Sequence, residues 1–65
     1  MSFKEIREQK GLKPTFVNEK LKELYGIELT DWQFYDRENH PKKYLPKEIQ
    51  ALCDFYEVGI QDVEF

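Results

Sequence analysis

The sequence is poor in the residues that small chains use as staples or cofactor ligands. One cysteine, Cys53, in 65 residues excludes an internal disulfide, and nothing points to an oxidising compartment. One histidine, His40, beside scattered acids is not a zinc-ligand pattern. The three glycines, at positions 11, 26 and 59, build no glycine-rich phosphate loop. No run approaches the roughly 18 apolar residues of a membrane span. The opening Met1-Ser2-Phe3-Lys4-Glu5 has no apolar stretch of the signal-peptide kind, so the expected location is the cytoplasm. Repeats, low-complexity tracts and linkers are also missing, which makes residues 1–65 one domain. So short a chain has hardly room for a concave substrate pocket. These absences argue against an enzyme, a cofactor, a metal and a small-molecule substrate.

An excess of positive charge is missing too. The chain has 10 Lys/Arg against 13 Asp/Glu, a net charge of −3 and a pI near 5.1. The distribution is uneven: every Lys and Arg lies in residues 1–47, and the stretch 48–65 carries only acids, Glu48, Asp54, Glu57, Asp62 and Glu64. Two faces with different partners are one consequence, and a solvated acidic helix is the plainer one.

What is present suits a core. At 40% apolar and 15% aromatic the chain is too hydrophobic for a disordered tail, although near the lower size limit for folding unaided. Ser2-x-x-Glu5 is a capping box, and Gly11 is placed to stop a first helix over about 3–10. Pro14 suits the first position of a second helix, over about 14–25, with Val17, Leu21, Leu24 and Tyr25 at helical spacing and Gly26 as its cap. Leu29, Trp32 and Tyr35 fall three apart, and Thr30-x-x-Gln33 is a second capping box, which predicts helix 3 over about 29–37. Asn39-His40-Pro41-Lys42-Lys43 reads as a loop. Pro46 opens helix 4, with Ile49, Leu52, Cys53 and Tyr56 on one stripe and Gly59 as its end. Residues 60–63 read as one closing turn or a short fifth helix. Five helices with brief connections predict an all-α fold. On this phasing Trp32, Tyr35 and Tyr56 belong to the core, Cys53 is a buried structural thiol, and Phe34 is exposed, with Phe16 and Phe65 partly so.

The order of these pieces resembles the Cro/lambda-repressor, or XRE, family of helix-turn-helix proteins, along nearly the full length. Phe3-Lys4-Glu5-Ile6-Arg7-Glu8-Gln9-Lys10-Gly11-Leu12 is similar to that family's first helix. The stretch from Gly26 to Arg37 is similar to its turn and recognition helix, and Phe55-Tyr56-Glu57-Val58-Gly59-Ile60-Gln61-Asp62-Val63 to its closing motif. Between Leu12 and Gly26 the chain has about four residues more than the family norm, one helical turn, so the implied fold is a compact five-helix lambda-repressor-like domain with a lengthened helix 2. Asn18 or Lys22 falls where the family has a small residue at the helix 2–helix 3 crossing. Asp36 matches an acid that the family keeps for structure, and Glu38 or Asn39 replaces a glycine after the recognition helix.

The resemblance implies a small transcriptional regulator, of a phage or mobile-element type, that binds duplex DNA with helix 3 in the major groove, commonly as a homodimer or beside another regulator. Its implied DNA contacts are Lys13 and Thr15 at the start of helix 2, Leu29, Thr30, Gln33, Phe34 and Arg37 on helix 3, and Asn39, Lys42 and Lys43 beyond it. Gln33 suits adenine, and Thr30 or Phe34 a thymine methyl. Against this, residues 26–37 hold Glu28, Asp31 and Asp36 against Arg37 alone, whereas duplex affinity rests on cations meeting phosphates. The rival expectation is therefore a helix-turn-helix fold turned to protein binding, an antirepressor or co-regulator. In that case Glu28, Asp31, Asp62, Glu64 and Phe65 would meet a basic partner.

Overall fold

The computed structural model describes residues 1–65 as four α-helices with no strand: α1 Phe3–Gln9, α2 Pro14–Tyr25, α3 Asp31–Asn39 and α4 Pro46–Tyr56. Two single 3₁₀ turns, Pro41–Lys43 and Ile60–Asp62, follow α3 and α4. The all-α class stands, but the expected fifth helix is only the second of these turns. No helix is long and apolar enough to cross a membrane.

Each start follows from local chemistry. At α1, Ser2 Oγ accepts from Glu5 N at 3.2 Å and Glu5 Oε1 accepts from Ser2 N at 2.9 Å, so two orphan amides are satisfied at once. Proline opens α2 and α4, where its missing N–H costs nothing. Gly26 ends α2 at φ +67°, and the Ile27 N–H reaches back to Leu21 O at 3.1 Å, the closing bond of a left-handed cap.

Helix α4 stops sooner than expected. Glu57, not Gly59, takes the left-handed position at φ 58°, and Val58 N donates to Cys53 O at 2.9 Å.

The core joins every segment: Phe3 and Ile6 of α1, Val17 and Leu21 of α2, Phe34 of α3, Ala51, Leu52 and Tyr56 of α4, with Ile27, Tyr44 and Val63 from the connections. Phe3 is its hub. Its ring meets Tyr44 edge-on at 5.3 Å, Phe65 edge-on at 5.8 Å and Tyr56 at 6.0 Å, geometries that rings prefer. The two ends of the chain meet there, with Glu64 N donating to Met1 O at 2.9 Å.

Several core expectations are corrected. Phe34 is buried at 2% exposure, Trp32 is 83% exposed and Tyr35 41%. Leu29 lies before the helix, so it does not set the phase of α3; Phe34 and Glu38, four apart, face inward instead. Leu24 slips off the α2 stripe into solvent, because the buried face runs through Val17, Asn18 and Leu21. Cys53 is half-buried on the flank of α4, whose inner face is Glu48, Ala51, Leu52 and Tyr56. Tyr56 is in the core, and Phe16 and Phe65 are partly exposed.

Candidate nucleic-acid interface

Residues 26–30 join α2 to α3, and one side chain holds the joint. Asn18 Nδ2 donates to Leu29 O at 2.9 Å and to Asp31 Oδ1 at 3.2 Å. Asn18 thus takes the place at the α2–α3 crossing, while Lys22 stays exposed. An asparagine is bulkier than a small apolar residue, and at 8% exposed its amide nitrogen hydrogen-bonds the turn while its Oδ1 is left without a partner. The same bonds give Asp31 a structural task that its sequence position did not reveal. Glu28 also has a partner, Lys22 Nζ at 3.7 Å, although both side chains are so exposed that the pair contributes little.

Two ion pairs, one buried and one partly buried, fix the rest of α3. Arg7 forks onto Glu38, with Nε to Oε2 at 2.7 Å and Nη2 to Oε1 at 3.1 Å, and its Nη1 donates to Leu12 O at 2.9 Å. Hydrogen bonding to Glu38 holds the guanidinium above its ordinary pKa despite the opposing cost of burial. Arg37 Nε donates to Glu48 Oε1 at 3.1 Å, and the same oxygen accepts from Leu45 N at 2.9 Å. Glu48 therefore caps α4 and anchors α3 together. The acid with the structural role is Glu38. Asp36 lies on the outer side, paired with Lys43 at 3.0 Å, which keeps its carboxyl below the usual range.

These anchors divide the expected contact residues. A shallow depression of about 290 Å³ between α2 and the turn brings Thr15, Leu29, Thr30 and Gln33 together with Glu28 and Asp31. Lys13, the N-cap of α2, is exposed, as are Asn39 and Lys42. Phe34 is withdrawn into the core, Arg37 is held by Glu48, and Lys43 is engaged by Asp36. The acidic group proposed for a protein partner is divided as well. Glu28 and Asp31 line the depression, while at the C-terminus Glu64 pairs with the Met1 amino group at 3.3 Å. Asp62 Oδ2 accepts from Gly59 N at 3.3 Å, and Phe65 packs on Phe3.

Gln33 and Thr30 already serve each other: Gln33 Oε1 accepts from Thr30 N at 2.9 Å, and Thr30 Oγ1 accepts from Gln33 N at 3.1 Å. Gln33 Nε2 and the Thr30 hydroxyl proton remain free to donate outward. The residue that sequence reasoning missed is Trp32, assigned to the core by a three-residue spacing that began outside the helix. The capping box at Thr30 held the signal, since it puts Leu29 just outside the helix and Phe34 at the fourth helical position, the two places that pack together at a helix start.

The chain is thus an all-helical domain in which two successive helices are bracketed across a short turn, the second with its outer face free. No known protein family, characterised protein or solved structure was found to match it.

Proposed function

We propose that the protein is a small helix-turn-helix regulator that binds duplex DNA, with α3 in the major groove. The observation that carries this reading is the fixing of α3. Asn18, Arg7–Glu38 and Arg37–Glu48 hold it from three sides and leave the N-terminal turn and outer face to solvent beside Thr15. A rigid helix with a free leading end is what base reading requires. The resemblance of the sequence pieces to Cro-like repressors supports the same reading. The contact set that fits is Thr15, Thr30, Trp32, Gln33 and Asn39 toward the groove, with Lys13 and Lys42 toward phosphates. Lys43 joins them at small cost, because its exposed pair with Asp36 is weak. Phe34 and Arg37 are not in this set.

The test is fluorescence anisotropy with random-sequence and genomic duplex at about 50 and 200 mM salt. The reading expects binding that weakens steeply with salt, and a slope reduced by about two in Lys42→Ala with Lys43→Ala. Absence of binding at the lower salt would refute it.

One observation favours a second reading, a module for a basic protein partner: the depression holds Glu19, Glu28 and Asp31 against Lys22 alone. The charge-altering pair Glu28→Lys with Asp31→Asn keeps an acceptor for Asn18 and separates the two. It should tighten duplex binding if DNA is the ligand, and abolish the complex if a basic protein is.

A further inference from the structure

Resting on the DNA reading, we infer that Trp32 is the principal base-reading side chain and that its target is thymine. Of the ten aromatic residues in the chain, Trp32 is the most exposed at 83%, while Phe3, Phe34, Tyr44 and Tyr56 are buried. It is the second residue of α3, two residues from Phe34, and therefore about 160° round the helix from the buried face. An indole at the middle of a free helix face, beside that helix's leading end, is a large apolar surface without an internal partner. Tryptophan is also enriched among the side chains that carry most of the energy at binding interfaces.

Its chemistry selects the base. An indole offers an apolar ring and one N–H donor, and it accepts nothing. In the major groove guanine presents two acceptors and no apolar group, cytosine a donor, and adenine an acceptor beside a donor. Thymine presents a C5-methyl group next to the O4 acceptor. Only thymine matches both the ring and the N–H. The neighbouring free groups extend the pattern: Gln33 Nε2 and the Thr30 hydroxyl donate, so acceptor edges beside the thymine suit this helix end.

Because Trp32 is so exposed, Trp32→Ala leaves the fold intact, which circular dichroism checks. As the chain's one tryptophan, it also reports on itself through its emission. The experiment selects a preferred duplex from a random pool, then replaces each thymine in turn with uracil, which deletes only the methyl. Wild type should lose about fourfold in affinity at one or two positions, the worth of one buried methyl. Trp32→Ala should bind the thymine and uracil forms equally, and wild-type emission should change on adding the duplex. A uracil penalty that persists in Trp32→Ala, or none in wild type, overturns the assignment while the DNA reading stands. Emission that changes with protein concentration in the absence of DNA would put Trp32 in a self-interface and overturn it as well. A wild type that binds no duplex at about 50 mM salt ends both readings, and is recognised before any uracil is introduced.

Discussion

Arg7 and Glu38 show what a single buried pair does in a chain this small. Glu38 is 6% exposed and Arg7 7%, so each has given up most of its hydration, and the two-point fork between them, with the Arg7 Nη1 bond to Leu12 O, offsets that loss. Removing one partner strands the other. Glu38→Ala is expected to cost about 3–5 kcal/mol, comparable with the whole stability of a domain this size at roughly 0.1 kcal/mol per residue. Chemical denaturation should find a much lower unfolding midpoint than in wild type. The double change Arg7→Met with Glu38→Leu, which removes both charges together, should fold nearly as well as wild type. If Glu38→Ala proves as stable as wild type, the pair does not hold α3. None of this was legible beforehand, because a search for apolar periodicity passes over buried charges. The family resemblance points to Asp36 for the structural role, while Glu38, two residues on, faces the core beside Phe34. Glu48 was hidden in the same way, counted with the acidic surface although its carboxylate is almost wholly enclosed.

Elements were more legible than residues, and caps more than stripes. Ser2, Thr30, Pro14, Pro46 and Gly26 stand where their backbone chemistry predicts, because a cap depends only on its nearest neighbours. The inward face of α3 depends on which apolar residues belong to the helix, and counting Leu29 among them aligns it with Trp32 and Tyr35 rather than with Phe34, about 160° away. That error exchanged Trp32 with Phe34, and with them the centre of the candidate interface. The Thr30 box now carries a prediction of its own. Thr30→Ala should cost about 1 kcal/mol and loosen the leading turn of α3, read as faster amide exchange at Gln33. Unchanged exchange there would show that Asn18 alone holds the turn. The end of α4 differs from expectation for another reason: glycine is the expected left-handed cap, yet the helix turns at Glu57. A side chain at φ 58° is strained where glycine is not, so Glu57→Gly should raise stability by about 1 kcal/mol, seen as a higher denaturation midpoint. A lower midpoint would mean that Glu57 does not adopt this geometry in solution.

At the scale of the whole molecule, four short helices are closed around one aromatic cluster, with the chain ends joined over Phe3, and titration reaches that cluster only from the alkaline side. Burial pushes the phenols of Tyr44 and Tyr56 well above their ordinary value, and the negative charge of Glu38 adds to it. Neither hydroxyl finds a hydrogen-bond partner within the protein. Tyr25, whose hydroxyl donates to Asp54 Oδ2 at 2.5 Å, is pushed up to about 12. In the unfolded chain these phenols ionise near pH 10, so the unfolded state loses protons first and the folded state is disfavoured from there upward. Their contribution is whole below pH 10 and drains away as the pH climbs through the raised folded values. On the acid side the sign reverses. Glu5, held down by the Ser2 amide, and Asp36, held down by Lys43, have depressed values. What they add is present above pH 4 to 4.5 and is lost below it. The expected profile is flat between about pH 6 and 9 and falls beyond pH 10. Tyr44→Phe with Tyr56→Phe should hold its melting temperature to higher pH than wild type, and also raise it at pH 7 by removing two hydroxyls that burial leaves unpaired. Melting curves that fall in parallel above pH 10 would place the alkaline transition elsewhere. Lysine deprotonation, which would act on the surface and on phosphate binding, would then have to account for it.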